Sequence, residues 1–172
     1  HHALKQRAAL QPGETLCVLG GAGATGIAAI QIGKIMGARV IAVCSTPEKR
    51  KLAQEAGADE TIGYDSLKDD LKALTDGKGV DVVYDVVGGA AFDACSRSMA
   101  RNGRLLIIGF ASGEIPKFPV NLALVKEYAV VGVFWGNFTR AEPQVYADNM
   151  KQLIGWYQDG KVKPLIEGRY PL

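Results

Sequence analysis

The glycine-rich segment Gly20 to Gly26 is the part of the chain whose residue types and spacing most directly suggest chemistry. Glycines at 21, 23 and 26 form the pattern G-x-G-x-x-G. Between a strand and a helix, such glycines permit a tight turn, close approach of backbone amides to a pyrophosphate, and close packing of the helix on the strand. The helix N-terminus adds unpaired N–H groups and the positive end of the helix dipole. The alternative is an ordinary strand–helix turn. We favour dinucleotide binding and expect the contacts at Gly21, Gly23, Ala24, Thr25 and Gly26.

A second chemical signal is the residue type about 20 positions after the glycines. NAD-binding domains usually place an Asp or Glu there to hold the ribose hydroxyls, whereas this chain has Cys44, Ser45 and Thr46. Ser45 and Thr46 can donate hydrogen bonds to a 2′-phosphate, and Lys49 follows one helical turn later. These residues favour NADPH, with NADH as the weaker candidate. Alternatively, Ser45 and Thr46 only cap a helix, and Lys49 and Arg50 lie on its solvated face.

These residues must be positioned by alternating strands and helices. Apolar runs predict strands at 16–19, 40–44, 61–62, 80–87, 104–108 and 129–134. Helical spacing and capping residues predict helices at 27–36, 47–55, 67–74, 90–99 and 142–159, with a helical turn at 121–126. Strands that are apolar throughout are buried on both faces, which indicates a parallel sheet covered by helices on each side. We therefore predict one α/β domain over 1–172, a doubly wound six-stranded parallel sheet (Rossmann fold) of order 3-2-1-4-5-6.

Composition and charge exclude several classes of protein. The 20 Lys and Arg residues nearly balance the 18 Asp and Glu residues, for a net charge of +2, so no basic field favours nucleic acid or an anionic membrane. No apolar stretch has the length of a membrane span. Cys17, Cys44 and Cys95 have neither a disulfide framework nor metal-ligand spacing, which favours a reduced cytoplasmic compartment and argues against a metal site.

The order and spacing of these segments resemble the medium-chain dehydrogenase/reductase superfamily, and within it the zinc-independent quinone oxidoreductases. The resembling segments are LQPGE at 10–14, GGAGATG at 20–26, GARVIA at 37–42, GAD at 57–59, DVVYDVVGG at 81–89, GFASG at 109–113 and VGVFWG at 131–136. Two departures lie near the expected cofactor: Ala24-Thr25 stands where Gly-Val is commoner, and Val86 where proline is frequent.

This resemblance implies roles for further residues. Three residues are expected at the 2′-phosphate and adenosine: Ser45, Lys49 and Tyr64. Three are expected on the segment that approaches the nicotinamide: Gly109, Phe110 and Ala111. Three more are expected near the same ring and near a dimer seam: Phe134, Trp135 and Gly136. The resemblance also implies that the substrate-binding domain of the parent protein is absent from this chain. It implies a homodimer through the sixth strand, whose apolar run at a sheet edge itself favours pairing.

The activity expected for the parent protein is hydride transfer from NADPH to a quinone or an α,β-unsaturated carbonyl. No residue of this chain is assigned as a catalytic acid or base. Tyr84 and Asp85 end the fourth strand near the cleft, where they either take part in function or orient the loop. Two alternatives are an enoyl-thioester reductase of the same superfamily and a non-catalytic NADPH-sensing domain. We expect this chain by itself to turn over no substrate.

Overall fold

The fold is an α/β sandwich built on one parallel sheet. The computed structural model describes residues 1–166, 168, 170 and 171. The strands are β1 Thr15–Leu19, β2 Arg39–Val43, β3 Glu60–Ile62, β4 Val80–Asp85, β5 Met99–Ile107 and β6 Ala129–Gly132. They lie in the order β3-β2-β1-β4-β5-β6, and every neighbouring pair is parallel. This is the doubly wound Rossmann sheet, with the strand order, that was predicted from sequence.

Helices cover both faces of this sheet. They are α1 Ala24–Ile35, α2 Pro47–Glu55, α3 Leu67–Leu74, α4 Gly89–Arg97, α5 Asn121–Lys126, α6 Trp135–Ala141 and α7 Pro143–Gln158, preceded by a short π-helix, Ala3–Arg7. The π-helix, α1, α2 and α7 pack on one face, whereas α3 and α4 pack on the other. Among the described residues, no helix is both long enough and apolar enough to cross a bilayer.

The central strand β1 shows how the two faces share the core. Leu16 and Val18 point towards α1, while Cys17 and Leu19 point towards α3 and α4, and all four are fully buried. A buried aliphatic side chain of this size contributes roughly 1.5–3 kcal/mol. A Cβ on Gly33 of α1 would lie 2.6 Å from a Leu16 methyl carbon, so glycine lets this helix pack close to the sheet. The result is a rigid platform beneath the carboxyl ends of the strands.

The structure differs from the sequence prediction mainly where elements meet the carboxyl edge of the sheet. The first helix begins at Ala24, three residues earlier than predicted. The fourth strand ends at Asp85 instead of 87, because its carboxylate binds the amides that follow. The sixth strand ends at Gly132 instead of 134, and the unpredicted helix α6 follows. At the opposite edge, the fifth strand begins at Met99 rather than 104.

Candidate functional site

A cavity of about 510 Å³ lies at the carboxyl ends of β1, β2 and β4. It is lined by Gly20, Ala22, Gly23, Thr25, Cys44, Ser45, Lys49, Tyr64, Val86, Val87 and Ala111. The chain crosses to opposite sides of the sheet at β1 and β4, and open α/β sheets bind ligands at that point. The location of this cavity therefore agrees with the dinucleotide site predicted from sequence.

The glycine loop, Gly20–Gly26, forms the floor of this cavity. The Gly21 N–H donates to the Val43 carbonyl oxygen at 3.0 Å, which joins the loop to the end of β2. Gly23 precedes α1 with no side-chain cap, so the amides of the first helical turn stay open for an anion. A Cβ on Gly26 would lie 2.9 Å from backbone carbons of Gly21. Glycine at 26 is therefore required for the close approach of helix and loop.

Tyr64 fixes the entrance of the glycine loop. Its hydroxyl accepts a hydrogen bond from the Gly20 N–H at 2.9 Å and donates to the Val43 carbonyl oxygen at 3.4 Å. Burial raises the pKa of Tyr64, so the hydroxyl keeps its proton at neutral pH. Because the hydroxyl is bound within the protein, the ring of Tyr64 is the part available to a ligand in the cavity.

The end of β2 presents a lysine and a serine to the same cavity. The Lys49 ammonium donates to Ser45 Oγ at 3.3 Å, and both side chains are exposed. Thr46 caps α2, since its Oγ1 accepts the Lys49 N–H at 3.3 Å. Cys44 is only 2 % exposed, and burial raises the pKa of its thiol, which leaves it neutral. Among the residues that the structure describes, no Asp or Glu lines the cavity. This end of the cavity therefore suits an anionic group.

The wall opposite Lys49 is formed by Val86, Val87 and Ala111. Asp85, just before it, is 1 % exposed, and its Oδ1 accepts the N–H groups of Val87 at 2.7 Å and Gly88 at 2.8 Å. Burial raises the pKa of Asp85, although both hydrogen bonds oppose that change. Asp85 does not line the cavity. Of the two interpretations left open by the sequence, the structure supports the one in which Asp85 orients the loop.

The other residue in question at the end of β4, Tyr84, is buried under the glycine loop. Burial raises the pKa of its hydroxyl. Tyr84 does not line the cavity. Its position supports a packing role beneath the start of α1.

The structure brings together only part of the predicted site. Six predicted residues line the cavity: Gly23, Thr25, Ser45, Lys49, Tyr64 and Ala111. Five others lie beside it, on the glycine loop or next to Ala111: Gly21, Ala24, Gly26, Gly109 and Phe110. Five lining residues were not among the predicted contacts, although Val86 was expected near the cofactor: Gly20, Ala22, Cys44, Val86 and Val87. The signal that could have found them is their position at or just beyond the ends of predicted strands.

Three predicted residues, Phe134, Trp135 and Gly136, follow β6 and do not line this cavity. Phe134 is 73 % and Trp135 58 % exposed, and the Trp135 ring packs edge-on against Tyr146 with centroids 5.9 Å apart. The Val133 N–H still donates to the Ile107 carbonyl oxygen at 2.9 Å, which holds the segment beside the end of β5. These aromatic side chains are therefore open to solvent at the same edge of the sheet.

The side chains that could bind a metal are scattered. Within the described part of the chain, no three His, Cys, Asp or Glu residues come close enough together to hold a metal ion. Cys17, Cys44 and Cys95 are all buried as free thiols.

Comparison with known proteins places the chain in a family. Residues 24–153 match the zinc-binding dehydrogenase family. The chain is 40 % identical to a quinone oxidoreductase-like protein 2 homolog of Nematostella vectensis, over 98 % of this chain and 47 % of the relative. It is 33 % identical to a quinone oxidoreductase of Pseudomonas aeruginosa, over 99 % of this chain and 53 % of the relative. The chain thus spans about half the length of the curated relatives it matches.

Solved structures give the same result. The mycobacterial protein Rv1454c, solved in complex with NADPH, superposes with a TM-score of 0.92 at 32 % identity, over 99 % of this chain and 54 % of that one. The nucleotide-binding subdomain of the PpsC enoylreductase domain of Mycobacterium tuberculosis superposes with a TM-score of 0.80 at 26 % identity, over 95 % of this chain and 93 % of that one. With its fold, glycine loop and these relatives taken together, the chain belongs to the zinc-binding dehydrogenase family of the medium-chain dehydrogenase/reductase superfamily, among its quinone oxidoreductase-like members.

Proposed function

We propose that this chain binds NADPH in the cavity at the carboxyl ends of β1, β2 and β4. The observation that carries the proposal is the paired Ser45 and Lys49 at the end of β2, in a cavity whose described lining residues include no carboxylate. A 2′-phosphate placed there meets two donors and one positive charge, and no acidic side chain among these lining residues opposes it. The NADPH-bound mycobacterial relative supports the same cofactor.

The residues present fit the parts of the cofactor. The open amides at the start of α1 hold the pyrophosphate, and Ser45 and Lys49 hold the 2′-phosphate. Tyr64 contacts the adenosine. The nicotinamide is approached by two segments, 109–111 and 134–136.

The reaction proposed for the whole protein is reduction of a quinone or an α,β-unsaturated carbonyl, for which NADPH supplies the hydride. The contribution of this chain is to bind the cofactor and hold its reactive face towards the substrate. We assign no proton donor within this chain. In this proposal the substrate-binding domain lies outside residues 1–172. The proposal is supported by the two curated relatives, which are about twice as long as this chain.

A second candidate is an enoyl-thioester reductase. The match to an enoylreductase subdomain, of which this chain covers 93 %, favours it specifically. A third, the NADPH-sensing domain, requires binding without turnover in the full-length protein. Full-length protein assayed with a quinone, a simple enone and an enoyl thioester separates the three. The substrate with the highest kcat/KM decides between the two enzymes, and no turnover with any of them favours the sensor.

Assembly and location complete the proposal. Two copies pair through β6, whose outer edge pairs with no other strand of the described residues and whose residues Ala129 and Val130 are exposed. The protein resides in the cytoplasm, a location supported by its three unpaired thiols.

The decisive test of the proposed function is a calorimetric titration of this chain with NADPH and with NADH. We expect binding of both, with NADPH at least several-fold tighter. A preference for NADH would refute the assignment of Ser45 and Lys49. The same preparation mixed with NADPH and a small quinone should oxidise NADPH no faster than the blank, and robust turnover would show that this chain alone contains a complete active site.

A further inference from the structure

Asp85 is a buried carboxylate that neither lines the cavity nor forms an ion pair within the described residues. Both of its side-chain hydrogen bonds run to Oδ1, at 2.7 Å from the Val87 N–H and 2.8 Å from the Gly88 N–H. The backbone leaves the strand sharply here, since Gly88 has φ +70° and Gly89 has φ +55°. The carboxylate therefore holds in one conformation a loop whose two glycines could adopt many others.

This loop in turn holds the neighbouring segment. The Asp85 carbonyl oxygen accepts the N–H groups of Ile108 at 2.9 Å and Gly109 at 3.3 Å. The next two carbonyl oxygens accept the N–H groups of Ala111 at 2.9 Å and Ser112 at 3.0 Å. Four of the five residues of the 108–112 segment are thus bound to the end of β4 and the loop that the carboxylate orients. Ala111, a lining residue, depends on that pairing for its position.

The same loop also touches the glycine loop. A Cβ on Gly20 would lie 3.1 Å from a Val86 methyl carbon and 3.7 Å from a Val87 methyl carbon. On the other side, a Cβ on Gly88 would lie 3.0 Å from the Phe110 ring. The loop after β4 is therefore wedged between the floor of the cavity and the segment expected to face the nicotinamide, and movement of the loop would displace both.

From this geometry we infer that Asp85 is a positioning residue for the cofactor: its Oδ1 sets the loop after β4 and, through it, the cavity wall formed by Val86, Val87 and Ala111. The inference rests on the proposed NADPH site. The loop is oriented by a hydrogen-bond acceptor at the position of Oδ1, and the negative charge of the carboxylate is not required. Asp85→Asn keeps such an acceptor, Asp85→Ala removes it, and Asp85→Glu keeps the charge but displaces the acceptor by one methylene group.

The test measures NADPH affinity by calorimetry and amide hydrogen exchange on the free protein for these three variants. For Asp85→Ala and Asp85→Glu we expect about a tenfold loss of NADPH affinity, because two buried N–H groups lose their partner. Amide protection at Val87, Gly88, Ala111 and Ser112 should fall by a similar factor, whereas protection in β1 is retained. Asp85→Asn should stay within about threefold of the wild type in both measurements.

The control is Ser96→Ala, which removes a different buried hydrogen bond, that of Ser96 with the Tyr128 hydroxyl, away from the cavity. It should lower the unfolding temperature and leave NADPH affinity unchanged. If Asp85→Asn loses as much affinity as Asp85→Glu, or if Asp85→Ala binds NADPH like the wild type, the inference is overturned. If Asp85→Ala does not fold, the comparison of NADPH affinity between Asp85→Asn and Asp85→Glu still tests the inference. If the wild type binds no NADPH, the proposed function fails, while hydrogen exchange still decides whether Asp85 orders the loop.

Discussion

Replacement of Lys49 by alanine is the perturbation that best isolates the proposed cofactor preference. Lys49 lies on the first turn of α2, and its ammonium is 3.3 Å from Ser45 Oγ at the cavity. Only NADPH carries a 2′-phosphate for this ammonium to bind, so Lys49→Ala should weaken NADPH and leave NADH nearly unchanged. The side chain is exposed, and its removal leaves no cavity in the core.

The expected magnitude follows from that exposure. A hydrogen bond to a charged group contributes roughly 1.5–3 kcal/mol. Lys49 lies in solvent, where salt screens charges over about 8 Å at physiological ionic strength, so the lower end applies. About 1.4 kcal/mol corresponds to a tenfold change in affinity. We therefore expect about a tenfold loss for NADPH and less than about twofold for NADH. The NADPH loss should shrink in high salt.

The matched control is Lys51→Ala, two residues later on the same helix. Lys51 is equally exposed and does not line the cavity, so its removal should change neither affinity by more than about twofold. Arg50 also lies outside this cavity, as its position about 100° around the helix predicts. However, an Arg50 guanidinium nitrogen packs tightly over Gly63, so its substitution would also disturb helix packing. Calorimetry that shows both cofactors weakened equally by Lys49→Ala would refute the 2′-phosphate assignment.

Three further predictions concern stability and assembly. Gly26→Ala should lower the unfolding temperature by about 4–8 °C, because its Cβ would meet glycine-loop backbone at a cost of about 2 kcal/mol, and each kcal/mol shifts a domain of this size by about 2–4 °C. Gly155→Ala, with open space around it, should not lower it, and equal effects would contradict this packing. The Arg104 guanidinium lowers the pKa of Glu14, so wild-type protein should be more stable than Glu14→Gln above pH 4.5, and this difference should vanish as pH falls through the pKa of Glu14 in the folded state. Denaturant unfolding that gives the same difference in unfolding free energy at every pH would refute it. Light scattering should show a dimer that Val130→Lys weakens, and a clean wild-type monomer at high concentration would exclude pairing through β6.

Local sequence patterns determined most of the secondary structure and the core of the cofactor site. The helices at 47–55 and 67–74 were predicted to the residue, because caps, a proline in the first turn and apolar spacing act within a few positions along the chain. The glycine loop could likewise be recognised from its local spacing, and Gly26 is required by contacts with Gly20 and Gly21 of the same loop. The crowding at Gly21, in contrast, comes from Ala42 and Cys44 at the end of β2. Apolar runs also implied a buried parallel sheet and hence the strand order.

Tertiary structure decided what stands opposite the glycine loop. Val86, Val87 and Ala111 reach the cavity only because β4 and β5 lie next to each other and Asp85 bends the backbone between them. The hydroxyl of Tyr64 binds Gly20 across 44 positions, a contact that no local pattern encodes. Phe134 was expected near the cofactor; β6 ends early and Phe134 does not line the cavity, so its approach to the nicotinamide stays a prediction. Periodicity and caps report interactions within one turn, whereas the far wall of the site depends on hydrogen bonds between segments that only the folded sheet brings together.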